Sequence, residues 1–157
     1  MNLRDYLIDC SGFDWPALVA SWHWLLPSQF TVWMMNRFGD LFLKTRDGKI
    51  HRLALDGGAV TILAESKEQF CDKLDEPGFA DEWFLMPLVD KLVAAGKELK
   101  QGECYALMQV PIVGGAYVVE NVTVGRVTDQ YAALGSIFAK LRGVPDRTTV
   151  CIMTMNQ

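Results

Sequence analysis

The chain has 157 residues, half of them hydrophobic and 22% charged, which is the composition of one globular domain with a single substantial core rather than of a disordered chain. A formal net charge of −4 argues against a general nucleic-acid binder, which needs a positive field to neutralise phosphates. A small-molecule site or a basic protein partner suits that charge equally well.

The first ten residues, MNLRDYLIDC, break any apolar run with Arg4, Asp5 and Asp9. No secretory signal is expected from them, and no apolar stretch has the length to span a bilayer. The expected setting is therefore cytoplasmic, without membrane or direct nucleic-acid contact. Cys10, Cys71, Cys104 and Cys151 are scattered with no CxxC pair, so they read as reduced thiols, and no metal site or cofactor is expected.

DWPALVASWHWLLP predicts a short first helix within a helical segment 1–27, with Asp14 as N-cap and Pro27 as its end. Residues 28–65 are dense in strand formers broken at Phe38-Gly39-Asp40, Asp47-Gly48 and Asp56-Gly57-Gly58. Glycine supplies the positive φ of tight turns, so Gly39, Asp47, Gly48, Gly57 and Gly58 predict a meander of about four antiparallel strands. Helices follow over 66–97. Ser66 and Gln69 form a capping box, Pro87 divides the second helical run, and Gly96 stops it. Strands are expected over 102–128, in ECYALMQV and AYVVENVTVGRVT. A closing helix over 129–143 is capped by Asp129 and ended by Gly143 and Pro145. TTVCIM, within 147–155, reads as an edge strand. Strands followed by helices, without strict alternation, predict a single α+β domain whose mainly antiparallel sheet is packed by helices.

Candidate chemistry is sparse. His51 is expected beside Leu53 and Leu55 as a core-rim residue, and His23 between two tryptophans as a packing residue. No GxSxG, HExxH or Walker pattern is present. Asp40, Glu103 and Glu120 are carboxylates that would do acid–base work only if the fold paired them; no catalytic residues are assigned. Gly114 and Gly115 lead toward AYVVENV rather than a helix N-terminus, so they predict a turn or close backbone approach, not a phosphate loop. Asn121 is expected to satisfy backbone groups, whereas Glu120 is open to either role.

Charge is the most informative pattern. Glu65, Glu68, Asp72, Asp75, Glu76, Asp81 and Glu82 stand against Lys67 and Lys73, a window charge of −5. It reads either as the solvated face of surface helices or as a patch that steers a basic protein.

The segments WHWLLP (22–27), NRFGDLFL (36–43), DEWFLMPLVDKLVAAGK (81–97), GECYAL (102–107) and GGAYVVENV (114–122) together resemble a bacterial family. It is that of the C-terminal domain of immunity proteins against type VI secretion DNase toxins, formerly a domain of unknown function. The resemblance implies a protein that binds a cognate toxin and blocks its active site, with no catalysis of its own. A toxin with a basic surface would meet the acidic window, so Asp72, Asp75, Glu76, Asp81 and Glu82 are the candidate toxin-binding residues. The alternative is a small-molecule or regulatory domain with a pocket between the sheet and the 85–95 helix.

Overall fold

The strand-forming runs between Thr31 and Ala64 pair as an antiparallel meander in a computed structural model that describes residues 2–142. β1 (Thr31–Met35), β2 (Leu41–Lys44), β3 (Ile50–Ala54) and β4 (Ala59–Ala64) lie in the order β1-β2-β3-β4. At the β2–β3 turn Gly48 takes φ 90° and donates its N–H to the Thr45 carbonyl at 2.9 Å, a conformation that strains any residue with a Cβ. Asp47 holds the same turn, accepting from the Thr45 hydroxyl and from the Lys49 N–H. The β1–β2 turn closes with the Gly39 N–H on the Asn36 carbonyl, and the β3–β4 turn with the Gly58 N–H on the Ala54 carbonyl.

Alternation along β2 sends its side chains to two faces, and both are covered. Leu41 and Leu43 join Met35, Leu53 and Leu55 beneath Trp22 and the closing helix. Phe42, on the other face, joins Ile50, Phe70, Trp83 and Phe84. Burial on both faces explains why the LFL run shows no polar alternation.

The N-terminal segment is less regular than its sequence predicts. α1 covers only Trp15–Leu18, with Asp14 accepting from the Ala17 N–H, and it tightens into a 3-10 turn over Ala20–Trp22. Tertiary anchors account for this: the Trp22 indole N–H and the Ser21 hydroxyl both donate to the Tyr131 carbonyl at 2.9 Å. Those bonds reach 109 and 110 residues along the chain and outweigh the weak preference for a continued α-helix.

α2 (Lys67–Leu74) starts as expected from Ser66, whose hydroxyl accepts from the Gln69 N–H. Gln69 reaches back to the N–H of Glu65 rather than to that of Ser66. α3 (Phe79–Phe84) and α4 (Met86–Ala94) are separated by Leu85 at φ 53°, with Pro87 in the first turn of α4. α4 ends in a Schellman motif, the Gly96 N–H on the Val93 carbonyl and the Lys97 N–H on the Leu92 carbonyl.

β5 (Glu103–Leu107) and β6 (Val122–Arg126) form a second antiparallel sheet. Leu88, Val89 and Leu92 of α4 pack on it against Tyr105, Leu107 and Val122. α5 (Val127–Leu141) leaves β6 directly and buries Tyr131, Leu134 and Phe138. Two expectations are corrected here. The strand expected from Ala116 begins only at Val122, and Asp129 lies inside the first turn of α5 instead of capping it. The helix starts early because the Val127 N–H is held by the Gly102 carbonyl at 2.9 Å. The result is one α+β domain. Gly143, Pro145, Cys151 and the TTVCIM strand lie outside the described residues.

Candidate functional site

The acidic window forms α2, α3 and the turn between them, and Asp72, Asp75, Glu76, Asp81 and Glu82 are all exposed. Among the described residues none of the five has a salt-bridge partner. The two lysines of the window are directed elsewhere. Lys73 donates to the Leu63 carbonyl at 2.9 Å and lies over the Phe79 ring, while Lys67 lies over the ring of Trp33. Phe70, Trp83 and Phe84 anchor both helices in the core, so the carboxylates are displayed from a fixed base.

A second exposed element lies on the loop between β5 and β6. Gly114 takes φ 93° after a 3-10 turn over Pro111–Val113, and the Gly115 N–H donates to the Val110 carbonyl. A Cβ at Gly115 would lie 1.6 Å from the Gln109 carbonyl oxygen, so only glycine allows the two backbone stretches to meet there. Asn121 stitches the loop shut. Its side chain accepts from the Gln109 N–H and donates to the carbonyls of Gln109 and Ala116. This is the structural role expected of it, and Glu120 faces solvent. The stitched loop holds Met108, Ile112, Tyr117 and Val118 in exposed positions. Sequence reasoning missed them because their β-branched and aromatic neighbours read as a strand. Gly115→Ala is expected to lose about 1–3 kcal/mol of stability in urea denaturation. Gly114→Ala, whose Cβ meets open space, is expected to lose only about 1 kcal/mol through its backbone conformation.

Beneath this loop lies the most concentrated buried polar network. Asn36, fully buried, accepts from the N–H groups of Phe38 and Asp40 and donates to Asp40 and to the Trp83 carbonyl at the end of α3. Asp40 also accepts from Arg52 at 3.0 Å and from the Leu55 N–H at 3.0 Å. Asp56, 3% exposed, has one long hydrogen bond, from the Tyr117 hydroxyl at 3.4 Å. Burial, reinforced by the Asp40 charge, pushes its carboxyl up to about 7. The Tyr117 ring is partly exposed, with its hydroxyl turned inward; burial and the two aspartates hold that phenol above its ordinary range.

The three carboxylates considered for catalysis do not converge. Asp40 is enclosed with Arg52, Glu103 accepts from the Lys100 N–H in a surface turn, and Glu120 is solvated. His51 sits 3.0 Å from the Thr45 hydroxyl, and desolvation lowers its pKa. His23 is exposed rather than packed. Cys10, Cys71 and Cys104 are free thiols, and burial pushes those of Cys10 and Cys104 up, away from a reactive thiolate. Beside α4, a cleft of about 320 Å³ lies against residues 117–120 rather than against the sheet.

Residues 64–137 match the family described as T6SS immunity protein Tdi1, C-terminal. The family is the one the sequence resembles. No curated protein matches the chain. The matched segment, just under half of the chain, runs from the last residue of β4 into α5 and takes in α2, α3, α4 and the β5–β6 loop. Both exposed elements described above therefore lie inside the immunity-family segment, and the match supports an immunity role. Among the described residues no helix is long and apolar enough to cross a membrane.

Proposed function

We propose that the protein is a cytoplasmic immunity protein that binds a cognate secreted toxin and neutralises it by covering the active site, with no catalysis of its own. The observation that carries this reading is the acidic face of α2 and α3, whose five carboxylates have no salt-bridge partner among the described residues while its lysines are held against rings and a backbone carbonyl. A toxin that cleaves DNA needs a basic groove, which such a face complements.

The β5–β6 loop supplies what charge alone does not. α3 touches α4, and α4 touches the turn at 119–121, so α4 links the helices that carry the acidic residues to the segment with exposed Tyr117 and Val118. In this reading the carboxylates steer the encounter and the apolar residues hold the complex, since interface affinity concentrates in desolvated aromatic and aliphatic anchors.

Co-expression with the product of the adjacent gene, scored for rescue from toxicity and for co-purification, tests the assignment. With the toxin in hand, Asp75→Lys/Glu76→Lys/Asp81→Lys is expected to slow association about tenfold or more at low salt, with the difference shrinking as salt rises. Ile112→Asp is expected to act instead on dissociation. Reversals that leave affinity and salt dependence unchanged would reduce the face to ordinary solvated helix surface.

A further inference from the structure

A cleft that shares no residue with the acidic face has a different character. It encloses about 590 Å³ between the N-terminal segment and the turn before β5, with Arg4, Arg37 and Lys100 on its walls. Among the described residues none of these three cations forms a salt bridge. The cleft also carries two carboxylates, Asp9, which accepts from the Ser11 N–H, and Glu103, which accepts from the Lys100 N–H, so its cations outnumber its anions by one. The Nε of Arg37 is buried and has no hydrogen-bond partner among the described residues, although its guanidinium also acts on the Tyr105 hydroxyl; an orphaned buried N–H is unfavourable unless something completes it.

Both walls are fixed by backbone bonds. The Ile8 N–H donates to the Met35 carbonyl, and Leu7 bridges to Asn36, so the N-terminal segment is held along β1. The Tyr105 N–H donates to the Arg37 carbonyl, and the Glu103 N–H closes the opposite turn on the Lys100 carbonyl. Three cations carried on fixed backbone walls around a recess can converge on an oxyanion, and guanidinium groups suit carboxylate and phosphate geometry. The cleft's volume falls in the range of small-molecule sites.

We propose that this cleft binds a small oxyanion-bearing molecule, a carboxylate or a phosphate, through Arg4, Arg37 and Lys100. The site shares no residue with the acidic face, and it requires no toxin.

Calorimetric titration of the full chain with inorganic phosphate, pyrophosphate and citrate, each at constant ionic strength, tests the proposal. One saturable site is expected for at least one of these probes. Phosphates and citrate distinguish the two sources of the charge, and binding by either supports the site. Lys100→Gln and Arg4→Gln, both at exposed positions, are each expected to weaken binding about tenfold. Arg37→Gln is expected to weaken it at least as much. Amide NMR shifts of the wild-type protein on adding the probe should centre on residues 4–9, 37 and 99–103, a readout independent of whether the Arg37 variant folds. The absence of saturable binding by all three probes would overturn the proposal. So would binding unchanged by Lys100→Gln and Arg4→Gln, which would mean an adventitious ion only.

Discussion

Asp40→Ala is expected to be among the most destabilising single substitutions in the protein, with a loss of about 3–5 kcal/mol in urea denaturation at neutral pH. The carboxylate accepts from Arg52, Asn36 and the Leu55 N–H, and its side chain is 4% exposed against 16% for that of Arg52. Removing it leaves a mostly buried guanidinium unpaired and a buried N–H without an acceptor. Asp40→Asn keeps an acceptor for Leu55 and should lose less, and the difference between the two variants separates the ionic part from the hydrogen-bond part. Arg52→Ala alone removes the other half of the pair. A double-mutant cycle with Asp40→Ala should therefore show strong coupling. A loss below about 1 kcal/mol for Asp40→Ala would place this pair with exposed ion pairs, which contribute little.

The consequence reaches beyond stability, because Asn36 and Asp40 tie three parts of the molecule together. Asn36 orders the β1–β2 turn, shares Asp40 with Arg52 of β3, and satisfies the Trp83 carbonyl at the end of α3. The helix that displays Asp81 and Glu82 is thus tied to the meander by the Asn36 hydrogen bond as well as by the packing of Trp83 and Phe84. In the proposed function, loosening this knot would weaken toxin binding without touching an interface residue.

Local chemistry made the meander legible. Asp-Gly and Gly-Gly pairs specify turns through backbone conformation alone, so the strands between them followed, as did the Ser66 cap, the Pro87 division and the Gly96 stop. What was not legible depended on distant contacts. AYVVENV has the β-branched content of a strand, yet Asn121 binds Gln109 and Ala116 and holds those residues in a closed loop. WHWLLP has helical periodicity, but Trp22 is drawn into the core by Tyr131, 109 residues later.

The candidate site divides the same way. A run of carboxylates can be counted in any sequence, but whether its lysines neutralise it depends on where Trp33, Phe79 and the Leu63 carbonyl lie. Asp56 carried only a turn signal. Burial raises its pKa, the charge of Asp40, 16 positions earlier, adds to the rise, and its hydrogen-bond partner Tyr117 lies 61 positions later. Nothing in its neighbours announces a carboxyl so far from its ordinary behaviour.

That carboxyl makes the second large effect. Asp56 binds its proton more tightly in the folded protein, at about 7, than at the ordinary value of 3.8. Between those values the folded state holds the proton that the unfolded chain has released, so stability falls as pH rises through this window and levels off above it. The decline attributable to Asp56 is on the order of 4 kcal/mol. Asp9 and Asp47, held below the ordinary carboxylate range by hydrogen bonds, act in the opposite sense at lower pH, so the readout is the difference between wild type and variant. Asp56→Asn removes the charge while leaving an acceptor for the Tyr117 hydroxyl. It is expected to be more stable than wild type at pH 8, with the advantage vanishing by about pH 4. Tyr117→Phe should leave the wild-type direction intact, because desolvation and Asp40, not the tyrosine, raise the carboxyl. Urea denaturation of the three proteins from pH 4 to pH 8 decides the matter: parallel profiles for wild type and Asp56→Asn would show that Asp56 is ionised in the fold at ordinary cost.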